Sequence, residues 1–376
     1  MKIAIAAIFK NEFSYILEWI SYHLEIGVDH FYIADNVSDD GTSQLLEALD
    51  DIGIITRIHF PRVRDVGPQV PAYNKILKQY GSEVDLMAFI DADEFIVTND
   101  NLSLKDVLKN FYSSNNSSAL AVNWKVIGSS GFITKPQGLV IENYVNSSCL
   151  EYANNHHIKS IIKPSKIEKL SVHDCTLKSG EFVNIKGEQD IFPEKKRNFA
   201  KTNKIIHEHI FINHYVTKSK MEHFIDKANK GSAAGSKTRK KGIEYFNEHD
   251  RNEKVVTDFS DSILNLTKKR MKIIENELFS HSGFMKLTNG VCDIEGNKVK
   301  GWINLNPGDK IKVKVIINGI EHLAQCNINR PDVLRKGLTL EICCGFSMSL
   351  NVDVSADDDV HAYVFGSVSQ LKINRH

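Results

Sequence analysis

Apolar and polar positions change period repeatedly along the first hundred residues. Ile3 to Phe9 is an uncharged apolar run, short enough for a buried strand. Phe13, Ile16, Leu17, Ile20 and Leu24 then recur at helical spacing, and Gly27 is placed to end that helix. Phe31 to Ala34 reads as a second strand, Asp39-Asp40-Gly41-Thr42 as a turn, and Leu45, Leu46 and Leu49 as the apolar face of a second helix. Ile54 to Phe60 is a third strand, Gln69 to Tyr80 a helix carrying Ala72, Ile76 and Leu77 on one face, and Leu86 to Ile90 a fourth strand. Strands that alternate with helices imply right-handed crossovers and a parallel sheet, so the chain opens as an α/β fold.

From about residue 100 the pattern is mixed. The Asn-Ser runs near 113–118 and 146–148 read as loops. Trp124 to Gly131 reads as a strand entering a Gly/Ser loop, whose amides could hold a phosphate or a sugar hydroxyl, or simply make a tight turn. Ile205 to Ile212 predicts a further strand, and residues 218–280 are polar and mostly helical in pattern. After about residue 284 the period becomes two: Ile311 to Val315 alternates, Asn318-Gly319 is a hairpin signal, and Phe346–Val354 and Val360–Val368 look like strands. That pattern predicts a small antiparallel β-sandwich with no clear helix. The expected division is 1–235, a helical linker 236–283, and a β-domain 284–376.

Composition narrows the class. Lys plus Arg and Asp plus Glu each number 47, so no net field points to nucleic acid. The hydrophobic share is 42%, and no apolar run approaches the ~20 residues that span a bilayer. Ile3–Phe9 is too short for a signal-peptide core and leads into Lys10-Asn11-Glu12, so the expected location is the cytoplasm. The six cysteines form no Cys-x-x-Cys pair and are read as reduced thiols. The basic run Lys237–Lys241 is a solvated face on the plain reading, with contact to anionic lipid or an anionic acceptor left open.

The chemistry-bearing positions sit where strands end. Leu86–Ile90 runs into Asp91-Ala92-Asp93-Glu94, three carboxylates in four positions. Like charges at a buried strand end are costly, and a divalent cation offsets them. In extended backbone Asp91 and Asp93 would point the same way. Such hard oxygen ligands suit Mg²⁺ or Mn²⁺; an acidic turn is the competing reading. Lys10-Asn11-Glu12 follows the first strand and Asp35-Asn36 the second, so three polar clusters converge on the carboxyl edge of the sheet, where open α/β folds bind ligands.

These residues also form a series that resembles a known family. Lys10-Asn11-Glu12, Glu18-Trp19, Tyr22-His23, Gly27-Val28, Asp35-Asn36 and Ser38 to Thr42 resemble the opening of bacterial family 2-like glycosyltransferases, in the branch similar to the family 92 enzymes. Gln69 with Ala72-Tyr73-Asn74, Asp91-x-Asp93-Glu94-Phe95, Trp124 with Gly128 to Gly131, Lys159-Ser160, Lys163-Pro164, His173, Asn213-His214-Tyr215, Lys218-Ser219, Lys227 and Gly231 follow in order, over about residues 1–235. Gly301-Trp302 and Arg330 to Val333 resemble β-domains appended to such enzymes.

The resemblance implies a GT-A (Rossmann-like) domain, a nucleotide-diphosphate sugar donor, with UDP the expected carrier, and Mn²⁺ or Mg²⁺. It implies donor contacts from Lys10, Asn11, Glu12, Asp35, Asn36, Asp39, Asn74, Asp91 and Lys218, and a metal held by Asp91, Asp93 and His214, with His173 competing. Lys163 is a second cation considered for the diphosphate. The expected reaction is inverting transfer of a hexose, galactose among them, to a glycan or glycolipid acceptor at the cell surface, with Asp174 beside His173 as general base and Glu142, Glu151 and Asp190 as alternatives. A homo-oligomer and peripheral membrane contact remain open. A glycan-binding protein with a relict transferase domain is the alternative. A nucleotidyltransferase or phosphatase would need a Gly-rich phosphate loop or a nucleophilic Asp near the N-terminus, and Phe9-Lys10-Asn11 supplies neither.

Overall fold

A computed structural model describes the 376-residue chain except residues 39, 64–65, 100–101, 115, 190, 194–199, 225–240, 282–289, 305–310, 337–338, 340–341 and 365–370. Packing divides it into two compact units. One contains residues 1–10, 18–37 and 54–270; the other contains residues 11–17, 38–53 and 271–376.

The strands of the first unit are β1 (Ile3–Phe9), β2 (His30–Asp35), β3 (Ile55–His59), β4 (Leu86–Phe89), β5 (Glu94–Thr98), β6 (Ser117–Val126), β7 (Asn146–Ser147), β8 (Ile158–Ile162), β9 (Ile167–Leu170), β10 (Cys175–Leu177), β11 (Glu181–Val183), β12 (Ile210–His214) and β13 (Lys254–Val255). Helices α1 (Ile16–Glu25), α2 (Thr42–Asp51), α3 (Gln69–Tyr80) and α4 (Leu104–Ser114) fall among the early strands in chain order. Nine strands form one sheet in the order β3-β2-β1-β4-β8-β6-β12-β5, with β11 on β6. The first four strands are parallel, as their alternation with helices predicts. Beyond β4 the sheet is mixed: β8 runs antiparallel between β4 and β6, and β5 antiparallel to β12. The parallel expectation therefore covers only half the sheet, because this later half is built from long-range pairings that leave no periodic trace.

Small residues on β1 explain how α3 seats on the sheet. Ala4 and Ala6 share one face of the strand, and Ala72, Tyr73 and Ile76 share one face of the helix; all five are fully buried in one cluster with Met87 and Phe89. Each large side chain buried there contributes roughly 1.5–3 kcal/mol. The expected loop at 113–118 is instead the end of α4 and the start of β6, a ten-residue strand whose buried Ser117 and Ser118 continue the sheet. The strand expected at Ile205 begins only at Ile210, since the Ile206 N–H is taken by the Asn123 side chain.

In the second unit, loop Asn11–Phe13 is laced to loop Ser38–Thr42. The N–H groups of Asn11, Glu12 and Phe13 donate to Ser38 Oγ, Thr42 Oγ1 and Asp40 Oδ2 at 3.0, 2.8 and 3.1 Å. The C-terminal strands β14 (Gly290–Glu295), β15 (Lys298–Ile303), β16 (Lys312–Ile317), β17 (Ile320–Gln325), β18 (Gly345–Ser349), β19 (Val360–Val364) and β20 (Lys372–Arg375) make a four-stranded and a three-stranded sheet. Asn318 and Gly319 turn the β16–β17 hairpin with φ of 49° and 79°, the paired positive angles of a type I′ turn. Two details depart from the expectation. β14 and β20 pair in parallel, and a short helix, Pro331–Arg335, starts on a proline at its first position.

Candidate active site

Strand direction decides which residues meet. β1, β2, β4, β6 and β12 all end at one edge of the sheet, where antiparallel β8 and β5 begin. Lys10, Asp35-Asn36, Asp91–Glu94, Lys159 and His214 therefore share that edge. Lys163 leaves β8 at the opposite edge, where it lies over the Tyr112 ring, so it is not placed to meet a diphosphate at the acidic turn.

The acidic segment is a turn rather than extended strand. β4 stops at Phe89, the Glu94 N–H donates to the Asp91 carbonyl at 3.1 Å, and the Asp91 N–H donates to Glu94 Oε2 at 2.9 Å. The two aspartates consequently diverge. Asp91 Oδ1 accepts from Gln69 Nε2 at 2.6 Å and Tyr73 Oη at 3.1 Å, while Lys159 Nζ donates to Oδ2 at 2.8 Å. Gln69 and Tyr73 are four apart on α3, so one helix face delivers both. Lys159 is 1% exposed and also stands 3.7 Å from buried Glu94. Burial raises Asp91's carboxyl, yet the Lys159 ammonium outweighs it and holds the group below the usual range. Burial pushes Glu94 well above its ordinary value, the neighbouring Asp91 and Asp93 adding to the effect against Lys159. For Lys159 the two carboxylates overcome burial and raise its proton affinity.

Asp93 faces β12 instead. Its Oδ2 lies 3.7 Å from His214 Nε2, and its carbonyl accepts the Tyr215 N–H at 2.8 Å. The His214 ring sits 4.2 Å from the Trp124 ring, which also contacts His157 and His173. Among the described residues no three His, Cys, Asp or Glu side chains gather as a metal cage. A carboxylate and an imidazole at 3.7 Å nonetheless fit a cation that takes its remaining ligands from substrate phosphates and water, the usual habit of Mg²⁺ and Mn²⁺. Asp91, expected in the same ligand set, has both oxygens engaged by Lys159, Gln69 and Tyr73.

At the end of β2, Asp35 is fully buried. Arg57 of β3 donates to its Oδ2 through Nε and Nη2 at 3.0 and 2.8 Å, and the Val37 N–H donates to Oδ1 at 3.1 Å. Val37 has φ of 50°, a strained value for a β-branched residue. Asn36 is buried beside it, and its N–H donates to the Phe9 carbonyl at 3.0 Å. Lys10 is exposed. Asn11 and Glu12 belong to the second unit, in the laced loop above, and Asp39 lies outside the described residues.

Several expected site residues have other work. Asn74 gives its amide to the Val70 and Leu170 carbonyls and accepts the Leu170 N–H, so it clamps α3 to β9. Asp174 accepts the Ser171 hydroxyl and braces the β9–β10 turn. His173 is driven down to about 3 by burial, with Lys159 adding to the effect, and its Nδ1 faces the Ile158 carbonyl at 3.1 Å; an imidazole of such low proton affinity is a poor general base. Lys218 is buried at φ of 55°, and its field, with that of Lys135, acts on buried Glu18 and Glu222. Glu142 pairs with Lys268 at 2.8 Å, Glu151 is exposed, and Asp190, Lys227 and Gly231 lie outside the described residues. The Gly/Ser loop spends amides on its own chain: Ser129 N–H donates to Asp250 Oδ1 at 2.6 Å and Ser130 N–H to Asn252 Oδ1 at 2.8 Å. The groups not assigned a role from sequence are Lys159, Gln69, Tyr73 and Arg57. Gln69, Tyr73 and Lys159 stand in the family series quoted above without a role, and a lysine between Ile158 and Ile161-Ile162 is a further signal.

The model of glycosyltransferase family 92 matches residues 3–270, most of the chain. The chain belongs to glycosyltransferase family 92. Its curated relatives include family 92 proteins of Oryza sativa, 30% identical over 48% of this chain and 31% of that protein, and of Arabidopsis thaliana, 26% identical over 48% and 32%. These relatives are plant proteins, so a bacterial subgroup finds no support in them. The chain spans about a third of the length of the curated relatives it matches. Solved structures with similarity include S. aureus TarS 1-349 with UDP-GlcNAc (20% identity, TM-score 0.29, 44% of this chain and 46% of that). Another is M. tuberculosis glucosyl-3-phosphoglycerate synthase with Mn²⁺, UDP-glucose and phosphoglyceric acid (16%, 0.24, 33% and 44%). The mixed parallel and antiparallel sheet described above agrees with the α/β, GT-A-like fold expected from the sequence.

Proposed function

We propose that this family 92 chain is a metal-dependent, inverting glycosyltransferase that moves a hexose, galactose among the candidates, from a UDP-linked donor to a glycan or glycolipid acceptor. The observation that carries the reading is the pair Asp93 and His214, 3.7 Å apart beside the clamped Asp91 on the carboxyl edge of the sheet. Asp93 and His214 would hold Mn²⁺ or Mg²⁺, which when bound supplies Lewis acidity toward the leaving diphosphate. Asp91, held ionised and oriented by three donors, would accept a hydroxyl of the donor's ribose or sugar. Asp35 would orient Arg57 and the strained Val37 backbone toward the nucleoside. For the acceptor proton Asp174 remains the better candidate than His173, because its carboxylate has a second oxygen beyond the one bonded to Ser171. Six free thiols accord with a reducing compartment, and the reading includes a cytoplasmic location, with contact to the inner face of a membrane left open.

A panel of UDP- and GDP-sugars, with Mn²⁺ or with EDTA, tests this by nucleotide release. Release from one donor class, lost with EDTA, is expected. No binding or hydrolysis of any donor, with glycan binding by the full chain, would favour the glycan-binding alternative.

A further inference from the structure

Two loops leave the sheet edge that carries Asp93 and His214, one after β6 and one after β12. Farther out their backbones are bonded together. The Lys220 N–H donates to the Phe132 carbonyl at 3.1 Å, and the Met221 N–H to the Ile133 carbonyl at 2.9 Å. The same junction is braced by side chains: Tyr144 Oη donates to Glu222 Oε2 at 2.5 Å, and the Ser219 N–H reaches both oxygens at 3.1 Å. Phe132 turns inward, its ring edge-on to Tyr144 at 5.8 Å. Ile133 and Met221 turn outward, 67% and 37% exposed. Apolar side chains scattered singly over a surface are ordinary. Two on directly bonded segments form a step instead, and the fixed backbone beneath leaves little conformational freedom to lose when that step is covered.

The charged residues that flank the step in sequence and reach the surface are basic. Lys220 adjoins Met221 and is exposed, and Lys135 follows Ile133 by two positions and is half-buried. The nearby carboxylates, Glu18 and Glu222, are buried. Lys241 ends the basic run that begins at Lys237, and its carbonyl faces His223 Nε2 at 2.8 Å, just beyond the short helical turn that carries Met221. Lys237 to Lys240 lie outside the described residues. Apolar side chains set among lysines match a membrane of anionic lipid: acyl chains take the former and headgroup phosphates the latter.

We propose that Ile133 and Met221, flanked by Lys135 and Lys220, dock the protein on an anionic lipid bilayer. The step belongs to the loops that extend the candidate active-site edge, so docking there would present a lipid-borne acceptor to that edge. The inference rests on the glycosyltransferase reading only for this purpose, and vesicle binding, which needs no sugar donor, stands or falls apart from it.

Co-sedimentation of the full chain with lipid vesicles is the test. Wild type should bind vesicles of phosphatidylcholine mixed with phosphatidylglycerol roughly tenfold or more tightly than vesicles of phosphatidylcholine alone, and added salt should weaken that binding. Ile133→Asp and Met221→Asp should each lower it roughly tenfold, with urea midpoints unchanged because both side chains are already exposed. Val352→Asp makes the same charge change at a residue 71% exposed in the C-terminal strands, and it should bind within about twofold of wild type. No binding of wild type to the anionic vesicles, equal binding to both vesicle types, or an equal loss in Val352→Asp would overturn the proposal. So would a dimer in solution that Ile133→Asp dissociates while vesicle binding stays at the wild-type level, which would make the step a contact with a second copy of the chain. Each of these outcomes leaves the transferase reading to its own test, nucleotide release from UDP- and GDP-sugars.

Discussion

Gly128 offers a prediction that the structure fixes in detail. It follows β6 and lies under the segment Asp250–Asn252. A Cβ at Gly128 would stand 2.2 Å from the Arg251 carbonyl oxygen and 2.5 Å from Asn252 Oδ1, where ordinary contact begins at 3.4 Å. The first obstacle is main chain, so Gly128→Ala must push the segment out by about 1 Å or more, given the steep repulsion of close-packed atoms. That movement stretches two hydrogen bonds, from the Ser129 N–H to Asp250 Oδ1 at 2.6 Å and from the Ser130 N–H to Asn252 Oδ1 at 2.8 Å. Overpacking costs about 1–3 kcal/mol, and a weakened bond to a charged acceptor about 1.5–3 kcal/mol when lost entirely, so about 3 kcal/mol is expected in total. Gly242→Ala is the control, since among the described residues nothing lies within 4 Å of its Cβ position and its φ is −75°; replacing this helix N-cap should cost no more than about 1 kcal/mol. Urea unfolding of both variants, with limited proteolysis across residues 250–258, provides the comparison. If Gly128→Ala unfolds with wild-type midpoint and shows no new cleavage there, the close approach and the hydrogen bonds that depend on it are refuted.

Two further outcomes follow from buried polar groups. Burial raises Glu18 to about 7 from an ordinary 4.5, against the N–H groups of Val140 and Ile141. The folded chain therefore keeps a proton that the unfolded chain loses between those values, and this contribution to stability declines as pH rises through that window, by about 3 kcal/mol. Glu18→Gln should flatten the decline between pH 4.5 and 8 in chemical denaturation, and an unchanged slope would sink the assignment. Asn74→Ala should cost about 2 kcal/mol through its lost bonds to Leu170 and Val70, yet change UDP affinity less than twofold; a tenfold fall in affinity without loss of stability would return Asn74 to the donor site.

What could be read from the chain divides along sequence distance. The first four strands, the acidic turn after Leu86–Phe89 and the Asn318-Gly319 hairpin follow from local period and turn chemistry, and each is where the pattern puts it. The convergence of Asp35, Asp91, Asp93 and His214 at one edge follows from strand direction once the topology is known. The Asp91–Lys159 pair spans 68 residues, and no local pattern reports it. Asn74 and the Gly/Ser amides show a related limit: their residue types suit a ligand, but the Val70 and Leu170 main chain engages Asn74, and the Asp250 and Asn252 side chains engage the amides of Ser129 and Ser130. Asp91 and Asp93 were expected on one face because extended geometry was assumed through a segment that the Glu94 side chain folds into a turn.

The central claim is that Asp93 brings a divalent cation to the leaving diphosphate. The most direct test is the rate of nucleotide release from the preferred sugar donor with Mn²⁺, for wild type and for Asp93→Asn. Loss of about 3 kcal/mol of transition-state stabilisation predicts a fall of about a hundredfold or more, with the variant folded as judged by urea midpoint. A folded Asp93→Asn chain that releases nucleotide at the wild-type rate would contradict the account.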